Sequence, residues 1–150
     1  MDARAVALAA GIDVATLNVW VQRGQIPGMS IGARGRRRDF DVETATRVAI
    51  IAQLVRFGMG APQAAFIAGS LKTPFHRRLV IASGDALQHM AEPRLRYPSP
   101  VTFFEMSSDD VAEMLQKMLQ ELPILYAVVD VERLEERMKK AQEYWDHGVR

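Results

Sequence analysis

The chain has 150 residues with 49% apolar and 25% charged side chains, proportions of an ordinary globular protein made of one or two small domains. It contains no cysteine, which excludes disulfides, thiolate metal sites and cysteine nucleophiles and fits a reducing compartment. The formal net charge is +1, but residues 1–60 carry +3, residues 61–104 carry +3 and residues 105–150 carry −5, a basic front and acidic back of the kind expected when the front meets a polyanion.

Residues 3–10, ARAVALAA, are helix formers closed by Gly11, a residue suited to the left-handed C′ position. Asp13 is placed to cap a second helix over 14–23, with Val14, Leu17 and Val21 on one face. Gly24 ends it, and Pro27-Gly28 turns the chain. Residues 28–38, GMSIGARGRRR, read as a flexible hairpin or loop. Asp41 is the candidate cap of a helix over 42–57, whose Val48, Ile51, Ala52 and Val55 recur at helical spacing before Gly58. Gly60-Ala61-Pro62 opens a short helix over 61–69, with proline tolerated in the first turn.

Behind a linker at Lys72-Thr73-Pro74 the character changes. Leu79–Ala82, Val101–Phe104 and Ile124–Val129 are candidate strands, and Asp85–Met90 a helical turn. Ser107-Ser108-Asp109-Asp110 is placed to cap an amphipathic helix reaching Leu122. Asp130 caps a last helix over 131–146. Its Val131, Leu134, Met138, Ala141 and Trp145 form a heptad seam, and Glu135–Lys139 and Glu136–Lys140 are favourably ordered pairs. The expected fold is α+β. It comprises a mostly helical domain over 1–70 and a small α/β unit over 73–150 with about three strands and two amphipathic helices.

No apolar run reaches the roughly 18–20 residues of a membrane span. The short apolar stretch after Met1-Asp2-Ala3-Arg4 is interrupted by Gly11-Ile12-Asp13, so no signal peptide is expected. Several patterns of chemically capable residues have simpler readings. His76, His89 and His147 lack ligand spacing, so no metal is expected. Asp109-Asp110 behind two serines suits capping better than paired-carboxylate catalysis. Ser83-Gly84-Asp85 lacks the flanking glycines of a nucleophile elbow. No enzyme activity and no cofactor are expected.

What remains is helix, glycine turn, helix and an arginine-glycine hairpin, a nucleic-acid-binding layout. Residues 22–38 hold five arginines and no acid. The first helix braces the second, whose apolar face rests on it. Thr16, Asn18, Val19, Gln22 and Arg23 then fall on the remaining surface, where asparagine and glutamine suit adenine and arginine suits guanine or phosphate. On this reading Asn18→Ala relaxes preference at one position of the site. Arg34, Arg36, Arg37 and Arg38 of the hairpin suit the DNA backbone or a minor groove. Trp20 is expected in the core.

The stretch Ala7 to Pro27 resembles the winged helix-turn-helix of the MerR family and the related excisionase-type domains. Gly11, Ile12, Asp13, Thr16, Leu17, Trp20, Gly24, Ile26 and Pro27 stand at the family's positions, and Arg38-Asp39-Phe40 is similar to the motif that closes its wing. The resemblance covers about residues 5–70. It implies a homodimer on an inverted repeat, the second helix in the major groove, and Arg38 anchoring the wing to phosphate. The chain departs from the family at Asn18 and Val19, where arginine and tyrosine are usual, and its C-terminal part does not resemble the family's coiled coil.

The expectation is a bacterial or phage transcription regulator that binds double-stranded DNA in the cytoplasm, at the nucleoid. The last-helix seam, Val131, Leu134, Met138, Ala141 and Trp145, is expected to dimerise, and a small-molecule or protein effector is left open for the α/β unit. Two alternatives stand beside this: an excisionase-like architectural or recombination factor, and a small ligand-binding protein or enzyme centred on the α/β half.

Overall fold

Three of the N-terminal helices begin the same way. The side chains of Asp2, Asp13 and Asp41 accept from the backbone N–H of Ala5, Thr16 and Thr44, each satisfying a donor that the helix itself leaves orphaned. In the computed structural model, which describes residues 1–29, 38–75, 78–83, 101–106, 112–113, 116 and 126–148, these caps open α1 (Ala3–Ala10), α2 (Val14–Gln22) and α3 (Val42–Arg56). The helix α4 (Ala61–Ser70) starts instead with a proline in its first turn, where the missing N–H costs nothing.

The chain divides into two compact units, Met1–Phe75 with Val131–Arg150, and His76–Asp130. In the first, α3 is the central element. Its Val48, Ala49, Ile50, Ile51 and Leu54 are buried on every side, because α1, α4 and the last helix, α5 (Val131–Asp146), all pack on it. Burying an aliphatic side chain of this size contributes about 1.5–3 kcal/mol. Only part of this burial was expected, since an amphipathic stripe accounts for one face and α3 has none to spare for solvent along its middle.

The position of α5 corrects two expectations. The break near residue 72 does not hand everything behind it to one unit, because α5 belongs with the N-terminal helices and packs on α1 and α3. Val131, Leu134 and Met138 of the expected dimer seam are buried against the same chain, Met138 completely, while Ala141 and Trp145 are half-buried. A heptad stripe specifies an apolar face but not whether the surface opposite belongs to the same chain. The Glu135–Lys139 pair closes at 3.1 Å on the outer face.

In the second unit β1 (Arg78–Ser83) lies between β2 (Val101–Met106) and β3 (Tyr126–Val129). Both pairings are antiparallel, with Val80 opposite Phe104 on one side and Val128 on the other. The expected α/β character is not carried over. The sheet is antiparallel, α5 belongs to the other unit, and the expected helix toward Leu122 lies outside the described residues except at 112–113 and 116. The expected turn at 85–90 also lies outside them. No single helix among the described residues is long and apolar enough to cross a membrane.

Candidate nucleic-acid interface

Between α1 and α2 lie three residues, Gly11-Ile12-Asp13, and the helices bend by 109° across them, within the roughly 90–120° of helix-turn-helix pairs. The turn is built from backbone bonds. Gly11 has φ +71, its N–H donates to Leu8 O, and the N–H of Ile12 donates to Ala7 O at 3.0 Å. These two bonds define the Schellman ending, which requires a left-handed residue. Gly24 ends α2 identically at φ +66, with Gln25 N–H donating to Trp20 O. Both stops were readable from glycine placement.

A residue outside the expected set also holds the turn. The guanidinium of Arg56, at the end of α3, donates to the carbonyls of Ala10 and Gly11, capping α1 with a positive charge where its dipole is negative. Arg47 plays a similar part elsewhere. It bonds Ala68 O and Leu71 O at the end of α4, pairs with Glu43 at 2.9 Å, and lies 5.4 Å from the Phe75 ring centroid. Both arginines belong to the basic front but are engaged structurally. Their position on α3 was visible in sequence, whereas their carbonyl partners lie far away along the chain.

On α2, Leu17, Trp20 and Val21 are buried, as expected for Trp20, and Val14 is half-buried. Asn18, Gln22, Ala15, Val19, Arg23 and Thr16 span the remaining arc of about 160° at 3.6 residues per turn. Val19 stands at its centre, 40% exposed, with Gln22 and Arg23 exposed beside it. Thr16 is half-buried and engaged in the cap. Its N–H and its hydroxyl both bond the Asp13 carboxylate, and its backbone bond is the first cause holding that carboxyl below its ordinary 3.8.

Asn18 and Arg38, expected to act separately, meet. The Arg38 Nη1 donates to Asn18 Oδ1 at 3.2 Å, and both side chains are half-buried. Arg38 is held there by its neighbours. Phe40 is buried, its N–H donates to Met1 O and its carbonyl accepts from the Met1 amine, both at 2.8 Å. Arg34, Arg36 and Arg37 lie outside the described residues. A cleft of about 270 Å³ beside α3 is lined by Asp41 and Glu43 as well as the engaged Arg47, a poor surface for a polyanion. Among the described residues no group of three or more His, Asp or Glu side chains is arranged to hold a metal.

Residues 1–67 match the model of the MerR HTH family regulatory proteins. This part of the chain is a MerR-like helix-turn-helix region. Such a region suggests a DNA-binding transcription regulator. No curated protein matches the chain. The MerR-like match ends inside α4, so α5, which packs on α1 and α3, lies beyond it.

Proposed function

We propose that the protein is a sequence-specific transcription regulator that lays α2 in the major groove of double-stranded DNA, and that it is not an enzyme. The observation that carries this reading is the exposed arc of α2, held at 109° to its bracing helix and presenting an aliphatic centre with amide and guanidinium groups beside it. Val19 suits a thymine methyl, Gln22 an adenine edge and Arg23 a guanine or a phosphate. The arginine-rich segment with Arg34, Arg36 and Arg37 supplies backbone contacts, and its positive charge provides much of the affinity. The compartment is the one that holds the DNA, the cytoplasm and its nucleoid.

The working form is a homodimer on an inverted repeat, with two α2 helices about 34–36 Å apart. Val131, Leu134 and Met138 are covered by their own chain, so the dimer contact is sought toward the far end of α5. There Trp145 and Ala141 are half-buried beside Tyr144, which is 66% exposed. Titrating a duplex with the full-length protein over a range of salt concentrations tests the DNA reading. Affinity should fall log-linearly with salt, with a slope near −0.9 per phosphate neutralised. Arg36→Ala and Arg37→Ala should each flatten the slope by about one contact. Salt-independent binding, or none, refutes the proposal.

A further inference from the structure

We infer that the sheet unit, His76–Asp130, is an accessory module inserted into a DNA-reading unit that closes again behind it, so that α2 still reads DNA when the sheet is unfolded and fails to when α5 is displaced. The binding half of this inference rests on the DNA reading proposed above, whereas the division into two folding units does not.

The helical unit runs to Phe75, is interrupted, and resumes at Val131. Both ends of the break are fastened on the helical side. Phe75 is buried with the Arg47 guanidinium over its ring, and Val131 is buried as well. Only residues 76–77 separate Phe75 from β1, and Asp130 alone separates β3 from α5. β1 and β3 are antiparallel neighbours with Leu79 opposite Val129. The chain therefore enters and leaves the sheet at one end, on strands roughly 5 Å apart. Adjacent entry and exit points allow one domain to be inserted into another without opening either core.

After the break α5 returns to the helical core. Leu134 and Met138 are buried, and α5 packs on α3 and on α1, the helix that braces α2. The far end of α5 reaches the root of the arginine-rich segment. Gln142 Oε1 accepts from the Met1 nitrogen at 3.1 Å, and Met1 and Phe40 exchange two backbone bonds at 2.8 Å. Phe40 stands two residues beyond Arg38, which bonds Asn18 of α2. The elements that hold the reading helix thus come from both sides of the insertion, and each of these bonds joins residues of the helical unit.

Segment-resolved hydrogen exchange of the unmodified full-length protein in low denaturant tests the division. Amides of α5 should open together with those of α3, and amides of β1, β2 and β3 in a separate step with its own denaturant dependence. Opening of β3 in common with α5, or of the sheet in common with α3, overturns the inference. Two full-length variants test the function. Val80 lies in the central strand, between Phe104 and Val128, where a proline removes a ladder bond. Val80→Pro should strip protection from the sheet, leave α3 and α5 protected, and keep affinity for the selected duplex within about threefold, the range of a neutral change. Met138→Asp puts an unpaired charge into the helical core. It should lower protection in α1 and α3 and weaken duplex binding about tenfold or more, while the sheet stays protected. Loss of duplex binding in Val80→Pro with α3 and α5 still protected makes the sheet part of the reading unit and overturns the inference. So does unchanged binding in Met138→Asp. Absence of duplex binding by the unmodified protein refutes the DNA reading, and the exchange result still decides the division.

Discussion

Replacing Gly11 by alanine should damage the helix-turn-helix by an amount the structure divides into two parts. The first is conformational. Gly11 sits at φ +71, and a residue with a Cβ pays about 1–2 kcal/mol there. The second is steric. A Cβ at Gly11 would stand 2.3 Å from Arg56 Nη2, so the guanidinium must swing away and release the carbonyls of Ala10 and Gly11. Those bonds are largely solvent-exposed, and their loss adds about 1 kcal/mol. The total, about 2–3 kcal/mol, corresponds to a drop in Tm of roughly 4–12 °C for a chain of this size. Gly24 is the internal control. It has φ +66, but nothing lies within 4 Å of its added Cβ, so Gly24→Ala should cost about 1–2 kcal/mol through conformation alone. Denaturant unfolding of Gly11→Ala, Gly24→Ala, Arg56→Ala and Gly11→Ala/Arg56→Ala separates the contributions. The double variant should be no less stable than Gly11→Ala, because Arg56 has already been displaced. If Gly11→Ala costs no more than Gly24→Ala and adds fully to Arg56→Ala, Arg56 does not hold the turn. If it costs less than about 0.5 kcal/mol, within the range of a neutral surface change, the turn is not left-handed.

Met138 is completely buried between α5 and the helices it packs on. Met138→Ala should cost about 2–5 kcal/mol and Met138→Leu under about 1.5 kcal/mol by denaturant unfolding. A destabilisation that disappears on dilution of the protein would instead place Met138 between two chains. The Asp13 carboxyl is held below its ordinary 3.8 by the Thr16 N–H, so its folded-state value is depressed. The stability it contributes is present above 3.8 and fades as pH falls through the lower folded value. Asp13→Asn keeps a good cap without a titrating group. The stability difference between the two proteins should therefore be constant near neutrality and change only below about pH 4. A difference that varies between about pH 5 and 8 would mean Asp13 is not the group responsible.

The helices were legible because their punctuation is local. Aspartates 13 and 41 and glycines 11, 24 and 58 act within a few residues of themselves, so their signals survive in a sequence read one window at a time. The buried face of α2 was legible for the same reason, and Trp20 falls inside as its position implied. What the pattern did not contain is partner choice. The stripe Val131-Leu134-Met138 announced an apolar face on α5, and only the packing of α5 on α1 and α3 shows that the same chain covers it. The arginines of the front half looked alike as charges. Arg56 and Arg47 turn out to bond carbonyls, and Arg38 bonds Asn18, through separations that no periodicity encodes. For the strands, apolar runs carry no information on neighbour order, and the arrangement with β1 between β2 and β3 comes from the structure.

The most direct measurement is selection of bound sequences from a pool of random duplex DNA by the full-length protein at near-physiological salt. An enriched inverted repeat is expected, with half-site centres about 10–10.5 base pairs apart or a multiple of that, as two α2 helices on a dimer require. Binding that retains the pool without enriching any motif would contradict sequence-specific regulation and leave an architectural role, for which DNA bending would then be the property to measure.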